Sequence, residues 1–260
     1  MKSVTSKDGS LITFDQLGQG APVVLVSGGS VDKGSNLSVA EELAKHFTVY
    51  NYDRRGRGKS GDRQPYAVDR EIEDIEAVID GAGGKAFLYG SSSGAALALE
   101  AARKLPSKVT KLALWEPPYI MEGYPRPPAN TAQTFADLVA QGRRGDAAEY
   151  FMSKVVGMPP EFVAAARSAP WWPAQEALAH TLAYDATIMG DYSIPTNKVA
   201  EIKVPTLVVD GGASFPFMHA TADAIANILK DKGQRRTLEG QQHNVDGTVL
   251  GMALTEFFNS

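Results

Sequence analysis

The chain contains no cysteine among its 260 residues. That excludes disulfides, thiol nucleophiles and cysteine-ligated metals, so covalent chemistry must run through oxygen or nitrogen, and nothing points to an oxidising compartment. No run approaches the ~20 apolar residues that a membrane span needs. The first ten residues, Met1 to Ser10, hold no apolar stretch of the kind that drives secretion. A soluble cytoplasmic protein, monomer or homodimer, is expected. Basic patches are scarce too: 26 Lys and Arg stand against 30 Asp and Glu, a net charge of -4, and no face favours nucleic acid or anionic lipid. Also missing are an H-E-x-x-H zinc helix, an EF-hand loop and a phosphate loop; Arg57-Gly58-Lys59-Ser60 lacks the earlier glycine that such a loop requires. No metal, nucleotide or other cofactor is implied, and the expected partner is a small-molecule substrate.

What the chain does have is a large core. With 43% apolar residues and no low-complexity break, it reads as one compact unit carrying an insertion. Short β-rich runs recur at Leu11–Gln16, Pro22–Val26, Phe47–Tyr52, Ala86–Tyr89, Val109–Trp115, Thr206–Asp210 and Arg235–Leu238. Most are continuously apolar, as strands buried on both faces must be. Helical patterns lie between them at Asn36–Lys45, Asp69–Asp80, Ser92–Lys104, Thr221–Lys230 and Val245–Phe258. Strand alternating with helix predicts a mostly parallel sheet covered on both sides. The alternation breaks once, over 119–200, where a proline-rich stretch leads into four amphipathic segments without strands. These are expected to form a helical cap over the functional edge of a core built from 1–118 and 201–260.

Gly90-Ser91-Ser92-Ser93-Gly94 joins the apolar run ending at Tyr89 to the helical pattern that follows. A serine on such a strand–turn–helix is lifted clear of the sheet, and the tight turn tolerates little bulk two residues to either side, hence Gly90 and Gly94. A serine hydroxyl is a poor nucleophile unless a base takes its proton and a carboxylate orients that base. Of four histidines, His46 ends a helix and His180 falls within the insertion, both readable as structural. His219 opens a late helix. His243 lies in a glycine-containing loop between the last strand and the last helix. Asp53 and the Arg54–Lys59 run after it read as a charge-paired structural turn, and Asp246 as a helix N-terminal residue favoured by the dipole.

These motifs, in order Val26-Ser27-Gly28-Gly29, Tyr52-Asp53-Arg54-Arg55-Gly56-Arg57-Gly58-Lys59-Ser60, Gly90-Ser91-Ser92-Ser93-Gly94 and His243, resemble the α/β-hydrolase superfamily over nearly the whole chain. The resemblance implies a mostly parallel eight-stranded sheet flanked by helices, with the helical cap inserted after the sixth strand. It implies Ser92 as nucleophile, His243 as base, and the backbone N–H groups of Gly29 and Ser93 as an oxyanion hole. Ser27 stands where the family usually has histidine. Most members place the triad acid in a turn after the seventh strand, where this chain has Ser214, which carries no charge. Glu116, at the end of the sixth strand and before Pro117-Pro118, is the candidate replacement, with Asp210 as its rival. The pairing of Ser92-Ser93-Gly94-Ala95 with Glu116-Pro117 is similar to the zearalenone-lactonase group.

Together these residues point to acyl transfer from carboxylic esters or lactones to water. Perhydrolysis, amide or carbon–carbon hydrolysis, and a receptor with little turnover are the alternatives; the absent aspartate at Ser214 favours the last. Aromatic and apolar residues on the cap and strand-end loops suggest a small to mid-sized apolar or aromatic substrate. Ser30, Tyr119, Met121, Trp171, Trp172, Phe215, Phe217 and Met218 are the candidate pocket residues.

Overall fold

The computed structural model describes residues 1–260. Eight strands form one sheet: β1 (Lys2–Thr5), β2 (Leu11–Leu17), β3 (Pro22–Val26), β4 (Thr48–Tyr52), β5 (Ala86–Ser91), β6 (Val109–Trp115), β7 (Thr206–Gly211) and β8 (Gly233–Leu238). They lie in the order β1-β2-β4-β3-β5-β6-β7-β8. β2 runs antiparallel to β1 and β4, and every other pair is parallel. The helices are α1 (Leu37–Leu43), α2 (Val68–Gly81), α3 (Ser93–Lys104), α4 (Thr131–Ala140), α5 (Arg144–Tyr150), α6 (Pro160–Arg167), α7 (Trp172–Leu178), α8 (Leu182–Met189), α9 (Thr196–Ala200), α10 (Pro216–Leu229) and α11 (Gly247–Asn259). None is long and apolar enough to cross a membrane.

The central strands are apolar on both sides because helices cover both. Successive residues of β3 enter opposite layers: Val23 and Leu25 pack with Leu43 of α1 and Leu254 of α11, whereas Val24 and Val26 pack with Ile75 of α2 and Leu99 of α3. The period-two pleat thus feeds two cores at once. Each Val or Leu buried in this way stabilises the fold by about 1.5–3 kcal/mol.

Two sequence expectations shift. β1 is absent from the apolar runs because Lys2-Ser3-Val4-Thr5 is polar; it is an edge strand with most residues exposed, held by its register with Leu11–Phe14. α10 starts at Pro216 rather than Thr221: Phe215 is extended, and proline is pre-set for the first helical position, where its missing N–H leaves nothing unpaired.

Between β6 and β7 lie α4 to α9 and no strand. Their own small cores join Phe135, Ala147 and Leu182 in one cluster, and Met152, Val163 and Trp172 in another. α8 packs on α2 and α3, and α9 on α3 and α10. A single π-helical turn, Phe151–Val155, interrupts the segment after α5. The strand order reverses between β3 and β5, so the loops after these two strands flank a crevice at the carboxyl edge of the sheet. Open α/β sheets bind ligands at such a switch point.

Candidate active site

The chain leaves β5 at Ser91, turns through Ser92 and enters α3 at Ser93. Ser92 has φ 55° and ψ -127°, a conformation that costs an L residue about 1–3 kcal/mol and persists only where its surroundings enforce it. Here the enforcement is close packing. A Cβ on Gly90 would sit 2.7 Å from the Cα of Ala95, and one on Gly94 would sit 2.6 Å from the Val26 carbonyl oxygen. The Ser92 N–H also donates to the Trp115 carbonyl at 2.8 Å, tying the turn to the end of β6.

One residue further along β6, Glu116 adopts φ 42° and is 1% exposed. Its Oε2 lies 2.6 Å from His243 Nδ1 and accepts the Ser214 hydroxyl at 3.0 Å. Its Oε1 accepts the Gly211 N–H at 2.8 Å. The loop that carries His243 is held at both ends. The His243 carbonyl accepts Trp115 Nε1–H at 3.0 Å, and Asp246 caps α11 by accepting the Thr248 N–H at 2.8 Å. Asp210, the rival acid, faces the other way. Its Oδ2 is 2.6 Å from His219 Nδ1, and its Oδ1 accepts Arg235 Nε–H at 2.9 Å.

Ser92, Ser93, His243 and Gly29 line one cavity of about 420 Å³ between the sheet edge and the helical segment. Ser35, Ser38, Val156, Phe215 and Asn244 are the exposed residues of its lining. Deeper walls come from Ile120, Phe151, Met189, Phe217 and Met218. Tyr89 and Tyr192 also line it, and burial pushes both phenols up. On the same wall Asn36 keeps its Nδ2 buried without a hydrogen-bond partner. No three carboxylate or imidazole side chains are grouped so as to hold a metal ion.

Of the expected pocket residues, Phe215, Phe217 and Met218 line this cavity, and five do not. Ser30 donates instead to Gln175 Oε1 on α7 at 2.7 Å, pinning the helical segment to the β3 loop. Tyr119 is buried in the sheet core, and Met121 lies outside the lining. Trp171 is half exposed, and Trp172 packs against Met152 and Val163 while donating to Glu176 Oε1 at 2.8 Å. The flanking prolines start α7 there and turn this tryptophan into the core of the segment.

Sequence reading did not single out Asp185. It is the one acid in the apolar helix Leu182–Met189, and it lines the cavity while only 5% exposed. An isolated carboxylate on such a helix was the available signal, since burial without a partner would be prohibitive. Burial acts to raise its pKa, but the adjoining Arg57 and Arg54 charges outweigh it and hold the group below the usual carboxylate range. The three arginines of the Arg54–Lys59 turn are buried and ion-paired, while Gly58 and Lys59 face solvent. Arg54 also forks onto Glu71 through two bonds of 2.8 Å, and Arg55 onto Asp74 at 2.7 and 2.8 Å.

Comparison with known proteins fits this geometry. A crystal structure of an alpha/beta hydrolase from Sphaerobacter thermophilus DSM 20745 matches with a TM-score of 0.91 and 48% identity, covering 99% of this chain and 100% of that one. The pimeloyl-[acyl-carrier protein] methyl ester esterase of Methylococcus capsulatus is 32% identical over 148 residues, 55% of this chain and 57% of that protein. The uncharacterized hydrolase YraK of Bacillus subtilis is 33% identical over 113 residues, 42% of each. The chain thus spans about half the length of these two curated relatives. A sequence model described as Alpha/beta hydrolase family matches residues 23–247. Since that match extends from β3, past the strained serine turn, to the loop of His243, the chain belongs to the α/β hydrolase family.

Proposed function

We propose that the protein hydrolyses neutral carboxylic esters or lactones through an acyl-enzyme on Ser92, with residues 119–200 serving as a cap over the site. The observation that carries this reading is the 2.6 Å contact of a buried Glu116 carboxylate with His243 Nδ1, in a cavity that Ser92 also lines. A carboxylate on Nδ1 keeps the proton there, which leaves Nε2 as the lone-pair nitrogen able to accept one from serine. Ser92 Oγ then attacks the carbonyl carbon while His243 takes its proton. The carbonyl electrons move onto oxygen, facing the N–H groups of Gly29 and Ser93. Collapse expels the alkoxide, which receives the proton from His243, and water repeats the sequence on the acyl-enzyme.

Rigid amide donors aimed at the developing charge are worth roughly 3 kcal/mol each in such reactions. The wall of Phe151, Met189, Phe217 and Met218 suits an apolar acyl or aryl portion, and the volume suits a small to mid-sized one. No lysine or arginine lines the cavity, so a substrate carrying a second carboxylate would lose hydration with no cation to replace it. Ser214, which stands where the family's aspartate is absent, donates its hydroxyl to Glu116, which supports a working triad over a receptor.

The test is a serine-directed fluorophosphonate followed by intact mass and peptide mapping, together with turnover of p-nitrophenyl butyrate and its carboxylate-bearing analogue, the p-nitrophenyl monoester of succinic acid. A single adduct on Ser92, absent from Ser92→Ala, is expected, with the neutral ester preferred at least tenfold. A folded protein that takes no label and cleaves neither ester would refute the proposal.

A further inference from the structure

Four side chains that the acyl transfer does not use directly meet behind the two amide donors. Asp185 reaches them from α8 in the helical segment, and Arg54 and Arg57, 0% and 1% exposed, reach them from the turn after β4. Asp185 Oδ1 accepts from Arg54 and from Arg57, both at 2.9 Å, and its Oδ2 accepts from Arg57 at 2.8 Å. The same Oδ1 accepts the Ser93 hydroxyl at 2.9 Å. The two guanidinium groups then grip the loop after β3. Arg57 donates to the Gly28 carbonyl, and to that of Val31 at 3.1 Å. Arg54 donates to the Ser27 carbonyl at 3.2 Å and to that of Gly28 at 3.4 Å.

The Gly28 carbonyl and the Gly29 N–H belong to one planar trans peptide, so fixing the direction of the first fixes the opposite direction of the second. Gly29 is also packed against the cluster: a Cβ there would sit 3.2 Å from Asp185 Oδ2 and 3.3 Å from Ser93 Oγ. One carboxylate therefore touches the machinery of both donors, Ser93 directly and Gly29 through Arg57.

We propose that Asp185 is a positioning residue for the oxyanion hole, setting the Gly29 and Ser93 amides through Arg57 and Ser93 Oγ, so that the hole is complete only while α8 is seated against the sheet. The inference rests on the acyl-transfer reading above. It has a distinctive sign. A negative charge beside a forming oxyanion opposes it, so deleting the Asp185 charge while Arg54 and Arg57 keep theirs acts through space to speed the reaction, whereas losing the alignment slows it.

The experiment compares Asp185→Asn, Ser93→Ala and Arg57→Lys with the parent full chain. It reads kcat and KM for p-nitrophenyl butyrate, corrected for the folded fraction, and inhibition by phenylboronic acid, whose tetrahedral serine adduct places an oxygen in the oxyanion hole. Asp185→Asn is expected to lower kcat about 10²-fold, comparable to loss of one oxyanion donor, with KM within threefold and boronate affinity weakened in parallel. Ser93→Ala keeps its N–H and loses only the link, so a fall of roughly tenfold is expected. Should Asp185→Asn fail to fold, Ser93→Ala and Arg57→Lys carry the same test. A folded variant set with kcat unchanged or raised, or boronate affinity unchanged, overturns the proposal. Failure of the parent to label or turn over overturns the acyl-transfer reading itself, and is seen before any variant is made.

Discussion

Replacing Glu116 by glutamine keeps the shape of the side chain and removes its charge. The carboxylate now accepts three donors: the Gly211 N–H at 2.8 Å, the Ser214 hydroxyl at 3.0 Å, and His243 Nδ1 at 2.6 Å. A glutamine can satisfy these in only one of two ways. With its oxygen toward Gly211, its NH₂ faces His243 Nδ1, which must become an acceptor; the proton moves to Nε2, and the base role proposed for His243 is lost. Flipped, the NH₂ confronts the Gly211 N–H, and a buried donor is left unpaired at about 1–3 kcal/mol. The charge adds a second effect. An imidazolium about 4 Å from a carboxylate gains about 4 kcal/mol at an effective dielectric near 20, an upper value because the His243 side chain is 34% exposed. After screening, roughly two decades in kcat remain, and the tautomer carries the total to about three. Steady-state turnover of p-nitrophenyl butyrate, with circular dichroism to confirm folding, measures it. A folded Glu116→Gln protein retaining more than about a tenth of the parent kcat would refute the reasoning.

Three further outcomes are expected. Trp172→Ala should cost about 3–5 kcal/mol of stability in urea unfolding by leaving a hole against Met152 and Val163, whereas Phe217→Ala, on the cavity wall, should shift ester chain-length preference instead; the reverse pattern would contradict the cavity as described. Gly58→Ala forces an L residue to φ 55° and drives its Cβ into the Asp53 carboxylate, which holds the Lys33 and Lys59 N–H groups at 3.1 and 3.2 Å, so a loss of at least about 1 kcal/mol should lower the melting temperature by roughly 2–4 °C or more. His180 is held below its ordinary 6.5, first by burial and then by the Arg144 charge. The unfolded chain then takes up a proton that the folded one resists, so stability is full above pH 6.5 and declines as pH drops below it. His180→Gln should shrink the drop in urea midpoint between about pH 7.5 and 5.5, and an equal drop in both proteins would sink this account.

Features that repeat a rule along the chain were legible. Apolar runs such as Val23–Val26 and Leu207–Val209 announce strands buried on two faces, and they occupy those places. Gly90 and Gly94 could be read because their constraint is local: the turn itself has no room for a Cβ. Glu116 could be proposed because a strand ending in a carboxylate before two prolines leaves that carboxylate at the sheet edge; its contact with His243 needed the fold. What escaped was set by partners far along the chain. Ser30 looks like a loop hydroxyl until Gln175, on a different helix, accepts its proton. Trp171 and Trp172 look alike in sequence, yet one is half exposed and the other buried, because rotation about α7 decides which residue faces inward. Asp185 acquires its meaning only when Arg54 and Arg57 arrive from 131 and 128 residues away in the chain.

The Glu116 carboxylate follows β6 but rests on the end of β7 and the turn after it, bonded to Gly211 and to the Ser214 hydroxyl. Two strand termini therefore converge on one small volume beside the imidazole, and either could furnish the anion. A descendant that acquired aspartate at 214 while keeping Glu116 would crowd two carboxylates there, and the pair would share a proton rather than both ionise. One negative charge would still face His243. On the proposed mechanism, the acid can thus migrate from one strand to its neighbour by way of a sequence that holds both, without passing through a chain that holds neither. The charge has a fixed place in space and a choice of addresses in the sequence.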